Sequence, residues 1–270
     1  MLLEKYSNVD LCNIDGCSPL YIASQNGYTE IVKMLLEKYS NVDLCNIDGC
    51  SPLYIASQNG YTEIVKMLLE KFSNVNLCRN DGVSPLFLAS YKGHTDIVKL
   101  LLEKNADVNL CNADRCCPLY VASREGHTDI ARLLLEKNPN VDLCNTNGCS
   151  SLYKASQNGH TKIVRLLLKA NPNVDLCAKD GSSSLLCATS AKKHTDMEST
   201  LIGYNSNFDI CNIDDISLQN KENIDKGRPP LLQKNLNVDI RNKDVSSPLY
   251  KTSHAKHVGM PMSISENIIQ

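Results

Sequence analysis

Along the first two thirds of the chain the apolar positions fall into two alternating patterns. In residues 51–71, Leu53 and Ala56 stand three apart, and after Gly60 a denser set follows at Ile64, Val65, Met67, Leu68 and Leu69. Residues three or four apart share a helix face, so these spacings predict a short helix followed by one with a broad apolar stripe. Ser51 is placed to cap the first helix, and Pro52 stands at the first helical position, where its missing N–H costs nothing. Gly60 can adopt a positive φ, ending that helix and turning the chain. The second helix opens at Thr62, with Glu63 near its positive end and Lys71 near its negative end. One neighbour cannot cover so wide a stripe, so this helix-turn-helix leaves apolar surface bare on both sides and is not stable alone. Between helix pairs, as in residues 41–50, Val42 and Leu44 alternate with polar residues and then meet Asp48-Gly49, which predicts an extended finger or hairpin.

The unit repeats. Its start recurs at Ser18, Ser84, Cys117 and Ser150 in steps of 33 residues, a period that signals stacked repeats. Full copies run over 15–47, 48–80, 81–113, 114–146 and 147–179, and residues 1–38 are identical to 34–71. The chain therefore opens inside a second helix, with a half repeat over 1–14 in which Met1, Leu2 and Leu3 are core positions. Terminal repeats normally carry a polar outer face, so the expectation is that the natural chain starts earlier or that this end frays. The sixth copy, 180–213, has Ser184 for proline, Lys193 for glycine and one extra residue before His194. A seventh is shorter by three residues and contains Gly227-Arg228-Pro229-Pro230, which no helix interior tolerates, and an eighth begins at Ser247 and dissolves after His257. These features divide the chain into an array over 1–212, degenerate repeats over 213–258 and a disordered tail over 259–270.

Ser51-Pro52-Leu53-Tyr54-Ile55-Ala56, and the run Gly93-His94-Thr95-Asp96-Ile97-Val98-Lys99-Leu100-Leu101-Leu102-Glu103, resemble the ankyrin repeat in period and in its Thr-Pro-Leu-His-x-Ala signature. The main departure is Tyr21, Tyr54, Phe87, Tyr120 and Tyr153, where the family usually has His. The resemblance implies an all-α repeat solenoid of stacked helix-turn-helix units with short β-hairpin fingers. It also implies a non-enzymatic scaffold or adaptor that binds a partner protein on a concave surface made of fingers and first helices. Carried over by position, the contact residues are Cys45, Ile47, Asp48 and Cys50 in the finger and Gln58 and Asn59 at the first-helix exit. Ile14 and Ile47, if exposed beside thiols, would make part of this face an apolar strip. Specificity needs differences between repeats, and Arg79, Arg115, Arg124 and Glu125 break the sameness, which puts the centre of the site in the third and fourth copies.

Composition narrows the partners. The chain has 28 basic and 30 acidic residues for a net charge of −2, leaving no cationic surplus to drive binding to nucleic acid. No apolar run approaches the roughly 20 residues that span a bilayer, and the N-terminus lacks the layout of a secretory signal. The expectation is a monomer with no membrane association, in the cytoplasm or nucleus. Thirteen cysteines could indicate a disulfide framework, but the count is odd and no Asn-x-Ser/Thr acceptor occurs. Reduced intracellular thiols are the better reading.

The chemistry-bearing residues follow the same period. His94, His127 and His160 each follow a glycine, and neighbouring repeats hold them too far apart to share a metal, so hydrogen bonds to a neighbouring turn are expected. One cysteine series runs Cys12, Cys45, Cys78, Cys111, Cys144, Cys177, and a second runs Cys17, Cys50, Cys116, Cys149. Cys45 and Cys50 flank a turn and could face each other across a hairpin, within reach of a disulfide or a soft metal. Two thiolates do not complete a tetrahedral site, so no metal or cofactor is expected. No phosphate-cradling loop, paired catalytic carboxylates or activated nucleophile appears, which leaves no catalytic residue to name. Two further readings stay open: a thiol-rich metal-binding or redox-responsive protein, and the targeting arm of a longer multidomain protein such as a ubiquitin-ligase adaptor.

Overall fold

The computed structural model describes residues 8–184, and there the chain forms ten helices in five consecutive pairs. They are α1 (Pro19–Gln25) with α2 (Thr29–Glu37), α3 (Pro52–Asn59) with α4 (Thr62–Glu70), and α5 (Pro85–Lys92) with α6 (Thr95–Glu103). Then follow α7 (Pro118–Glu125) with α8 (Thr128–Leu135), and α9 (Ser151–Gln157) with α10 (Thr161–Lys169). The expected capping is realised: the Oγ atoms of Ser18, Ser51, Ser84 and Ser150 accept from the backbone N–H of Tyr21, Tyr54, Phe87 and Tyr153, each at 3.1 Å. Gly60 ends α3 with φ 81°, a left-handed conformation that costs a residue with a Cβ about 1–2 kcal/mol.

The pairs pile in a row. First helices pack on first helices, second on second, and each first helix on its own partner, giving two layers. Leu53, Leu86, Leu119 and Leu152 of one layer meet Ile64, Leu68, Ile97, Leu101, Ile130 and Leu134 of the other in a continuous core. Identical sequences show what a neighbour contributes. Ile31 of α2 is 42% exposed, whereas Ile64, its equivalent in α4, is fully buried with α2 packed against its helix.

The fingers are turns rather than regular strands. The Asn46 N–H donates to Cys50 O at 3.0 Å and the Gly49 N–H to Asn46 O at 3.0 Å, while Asn46 Oδ1 accepts from the Cys50 N–H at 2.8 Å. Backbone bonds then join tip to tip: Ile47 N–H to Asp15 O, Asn80 N–H to Asp48 O, Ala113 N–H to Asp81 O, Thr146 N–H to Asp114 O and Lys179 N–H to Asn147 O, at 2.8–3.1 Å. Lower down, Asp10, Asp43, Asn76, Asn109 and Asp142 each accept from a backbone N–H of the next repeat. The expected hairpin is reduced to isolated antiparallel bridges at Cys144–Ser150 and Cys177–Ser183. These are the repeats in which Ser151 and Ser184 replace proline, and proline lacks the N–H that a second ladder bond needs.

The expectations for Met1, Leu2 and Leu3, for the second helix of the sixth copy and for everything after it lie outside the described residues.

Candidate functional site

Fingers and first helices come together on one face. Tyr21, Cys50, Tyr54, Ile55, Val83 and Leu88 form a buried cluster there, with Cys17 and Phe87 packed against it. The tyrosines standing at the signature position are therefore core residues, and burial pushes the Tyr21 and Tyr54 phenols up to about 12. Farther along, Tyr120 and Tyr153 turn their hydroxyls to the next finger, onto Asn145 Nδ2 at 3.0 Å and Ser182 Oγ at 2.8 Å.

Above this layer two arginines are braced. The Arg79 guanidinium lies 6.0 Å from the Tyr54 ring centroid, and its Nε donates to Asp81 Oδ1 at 2.9 Å while Nη2 meets the other carboxylate oxygen. That pairing holds the Asp81 carboxyl below its ordinary range and raises the guanidinium. Arg124 lies 5.3 Å from the Tyr91 ring, and its Nε donates to Glu125 Oε1 at 2.6 Å. Both side chains remain partly exposed. Arg115 is exposed and has φ 60°, at the position that is Gly16, Gly49, Gly82, Gly148 and Gly181 in the other fingers.

The remaining finger positions divide. Ile14 and Ile47 are 97% and 67% exposed, and Asp48 is exposed beside Ile47. Cys45 is half-buried, its Sγ donating to Asp43 O at 3.4 Å. Cys50 is only 6% exposed, packed with Tyr21, Tyr54 and Val83, so it supports the face from beneath. At the helix exit, Asn59 Nδ2 donates to Gln25 O at 2.9 Å, and Gln58 O bonds the His94 ring at 3.2 Å. Both residues therefore help to join repeats.

The geometry across Cys45 and Cys50 also differs from expectation. The backbone bond sets Asn46 against Cys50, so Cys45 falls opposite Ser51, and an offset of one residue turns side chains to opposite faces. The histidines do what a neighbouring-turn role requires: His94, His127 and His160 bond through Nε2 to the carbonyls of Gln58, Tyr91 and Arg124 at 3.1–3.2 Å. A Cβ on Gly60, Gly93 or Gly126 would come within 2.7–2.8 Å of these rings, so glycine there serves close packing as well as the turn. Among the described residues, no three His, Cys, Asp or Glu side chains are grouped as a metal site would need.

Two residues beside this face carry roles that the sequence did not assign to them. Tyr91, the platform for Arg124, has no periodic signal. Cys117 did have one, since it stands where the other described repeats place the capping serine. It is 2% exposed, and its side chain makes no cap bond.

A family model for ankyrin repeats in three copies matches residues 1–81 and 71–143, and a second, for ankyrin repeats in many copies, matches 119–168. The chain belongs to the ankyrin repeat family. Ankyrin repeats are in general protein-interaction modules, and the fold is a non-catalytic one. Comparison with curated proteins gives no match. Among the described residues, no helix of this ankyrin array is long and apolar enough to cross a membrane.

Proposed function

We propose that this chain is a non-enzymatic interaction scaffold that docks a partner protein on the face carrying the finger tips and first helices, centred on the second to fourth fingers. The observation that carries this reading is the pair of braced arginines. A free arginine loses side-chain freedom on binding, of the order of 0.5–1.5 kcal/mol for a rotamer-rich side chain. Arg79 on Tyr54 and Asp81, and Arg124 on Tyr91 and Glu125, are already held. Arginine and tyrosine are also the residue types in which binding energy concentrates. Ile14 and Ile47 add apolar surface at one end of the face, while at the same tip position Ala113 is small and Asn80, Thr146 and Lys179 are polar. A partner that reads several repeats thus meets a graded surface, and Ile47, Asp48, Arg115, Gln58 and Asn59 border it.

The test is affinity purification with the whole chain beside an Arg79→Glu/Arg124→Glu variant, followed by titration of the protein captured. Charge reversal at two central anchors is expected to weaken binding at least tenfold, about 1.4 kcal/mol, with helix content retained. Equal affinity for both chains would place the docking surface elsewhere.

A further inference from the structure

The fourth finger differs from the others in one respect that bears on chemistry. In the fifth finger Cys144 and Ser150 are antiparallel bridge partners, flanking the bonded pair in which the Asn145 N–H donates to Cys149 O at 3.0 Å. The fourth finger has the same register: Asn112 N–H to Cys116 O at 3.0 Å, Arg115 N–H to Asn112 O at 2.8 Å, and Cys116 N–H to Asn112 Oδ1 at 2.8 Å. Cys111 therefore stands opposite residue 117, as Cys144 stands opposite Ser150. Residue 117 is cysteine, so two thiols occupy a directly opposed pair of the kind not joined by backbone hydrogen bonds.

Such positions hold their Cα atoms roughly 4.5 Å apart with side chains close together, inside the roughly 4.4–6.8 Å that a disulfide spans. The two sulfurs are close enough for each to shift the titration of the other; the Cys111 S–H donates to Asn109 O at 3.2 Å, and both stand as thiols. Their access differs. Cys111 is half-buried, whereas Cys117 is enclosed at the start of α7.

We propose that Cys111 and Cys117 are a redox-active thiol pair, oxidised to a disulfide within the fourth finger by hydroperoxides. The outer thiol is the one that reacts first. The neighbouring Cys117 thiol, against the cost of burial, and then the Arg115 charge, against Asp107, stabilise the Cys111 thiolate and pull its pKa down to about 7. Burial raises the thiols of Cys45 and Cys144, which face serine instead. In the first step the Cys111 thiolate attacks the peroxide, forming an S–O bond as the O–O bond breaks, and an alcohol, or water from hydrogen peroxide, leaves with a proton. In the second, the Cys117 sulfur attacks the resulting sulfenic acid, forming S–S and breaking S–O, and water leaves with the Cys117 proton. Two thiols and one hydroperoxide give one disulfide, one alcohol and one water.

Trypsin provides the readout, because it cuts after Lys104, Arg115 and Arg124 and so separates the two sulfurs. The reduced whole chain is treated with equimolar hydrogen peroxide at pH 7, its remaining thiols are blocked, and it is digested. The expected product is peptide 105–115 linked to 116–124, with fragmentation assigning the second sulfur to Cys117. Cys111 should be lost about tenfold faster than Cys45 or Cys144, since only the thiolate reacts. Cys117→Ser, which restores the capping serine of the other repeats and so keeps the fold, should abolish the link and leave Cys111 as a sulfenic acid that dimedone captures. Cys116→Ser should leave the link in place. A link through Cys116, or Cys111 oxidised no faster than its equivalents, would overturn the assignment.

Discussion

At the scale of single residues the array carries strain in identifiable places. Each second helix ends at a residue with φ between 51° and 62°: Tyr39, Phe72, Asn105, Asn138 and Asn171. Asparagine tolerates that region, whereas an aromatic residue does not. Tyr39 and Phe72 are also 92% and 90% exposed, so no burial offsets the cost. Arg115 is the finger counterpart, a left-handed residue where the equivalent positions are glycine. Arg115→Gly should therefore raise stability, the about 1–2 kcal/mol of backbone strain being partly cancelled by glycine's freedom in the unfolded chain. A net gain of about 0.5–1 kcal/mol is expected, seen as a higher urea midpoint at unchanged slope. The same substitution removes a cation from the proposed docking face, so it should strengthen the fold while weakening the partner. A fall in the urea midpoint would mean that the guanidinium makes compensating contacts within the finger.

At the scale of elements, the sequence already showed most of the helices. Serine, proline and glycine at fixed offsets mark where α3, α5 and their partners begin and end, because capping and turning depend on one or two side chains nearby. The fingers were less legible. Alternating Val and Leu imitate a strand, but the hydrogen bonds that decide the outcome run from Asp48 O to Asn80 N–H, a whole repeat away. The same limit explains Cys50, whose burial depends on Tyr21 of the preceding repeat and Val83 of the next finger, and the pairing of Cys111 with Cys117, which depends on a register that no local spacing announces. What an adjacent element contributes can be measured within this chain, since α2 and α4 have the same sequence. Ile64→Ala removes a fully buried side chain and should cost about 2–5 kcal/mol, as large-to-small core changes do. Ile31→Ala removes an identical side chain that is 42% exposed, and should cost about half as much. Equal losses in urea unfolding would show that packing of α2 on α4 adds nothing to the burial of Ile64.

At the scale of the molecule, every substantial helix contact among the described residues joins helices of one repeat or of adjacent repeats. Stability in such a row is a sum of repeat and interface contributions rather than a property of one shared core. The row is also stitched along its edges by the tip-to-tip and side-chain bonds between fingers, and each of these again reaches only the next repeat. Damage in the middle should therefore spread outward and fade. Leu101 is fully buried in α6, third of the five second helices among the described residues, and Leu101→Ala should remove about 2–5 kcal/mol from that repeat and its two interfaces. Native-state amide exchange reads this helix by helix, because protection reports the free energy of local opening. Exchange should accelerate most in α5 and α6, less in α3, α4, α7 and α8, and least in α1 and α10. Urea unfolding should broaden as the two ends come apart from each other. If the row instead behaves as one cooperative body, all ten helices will lose protection by the same factor, and the surface that spans several repeats will open as a unit.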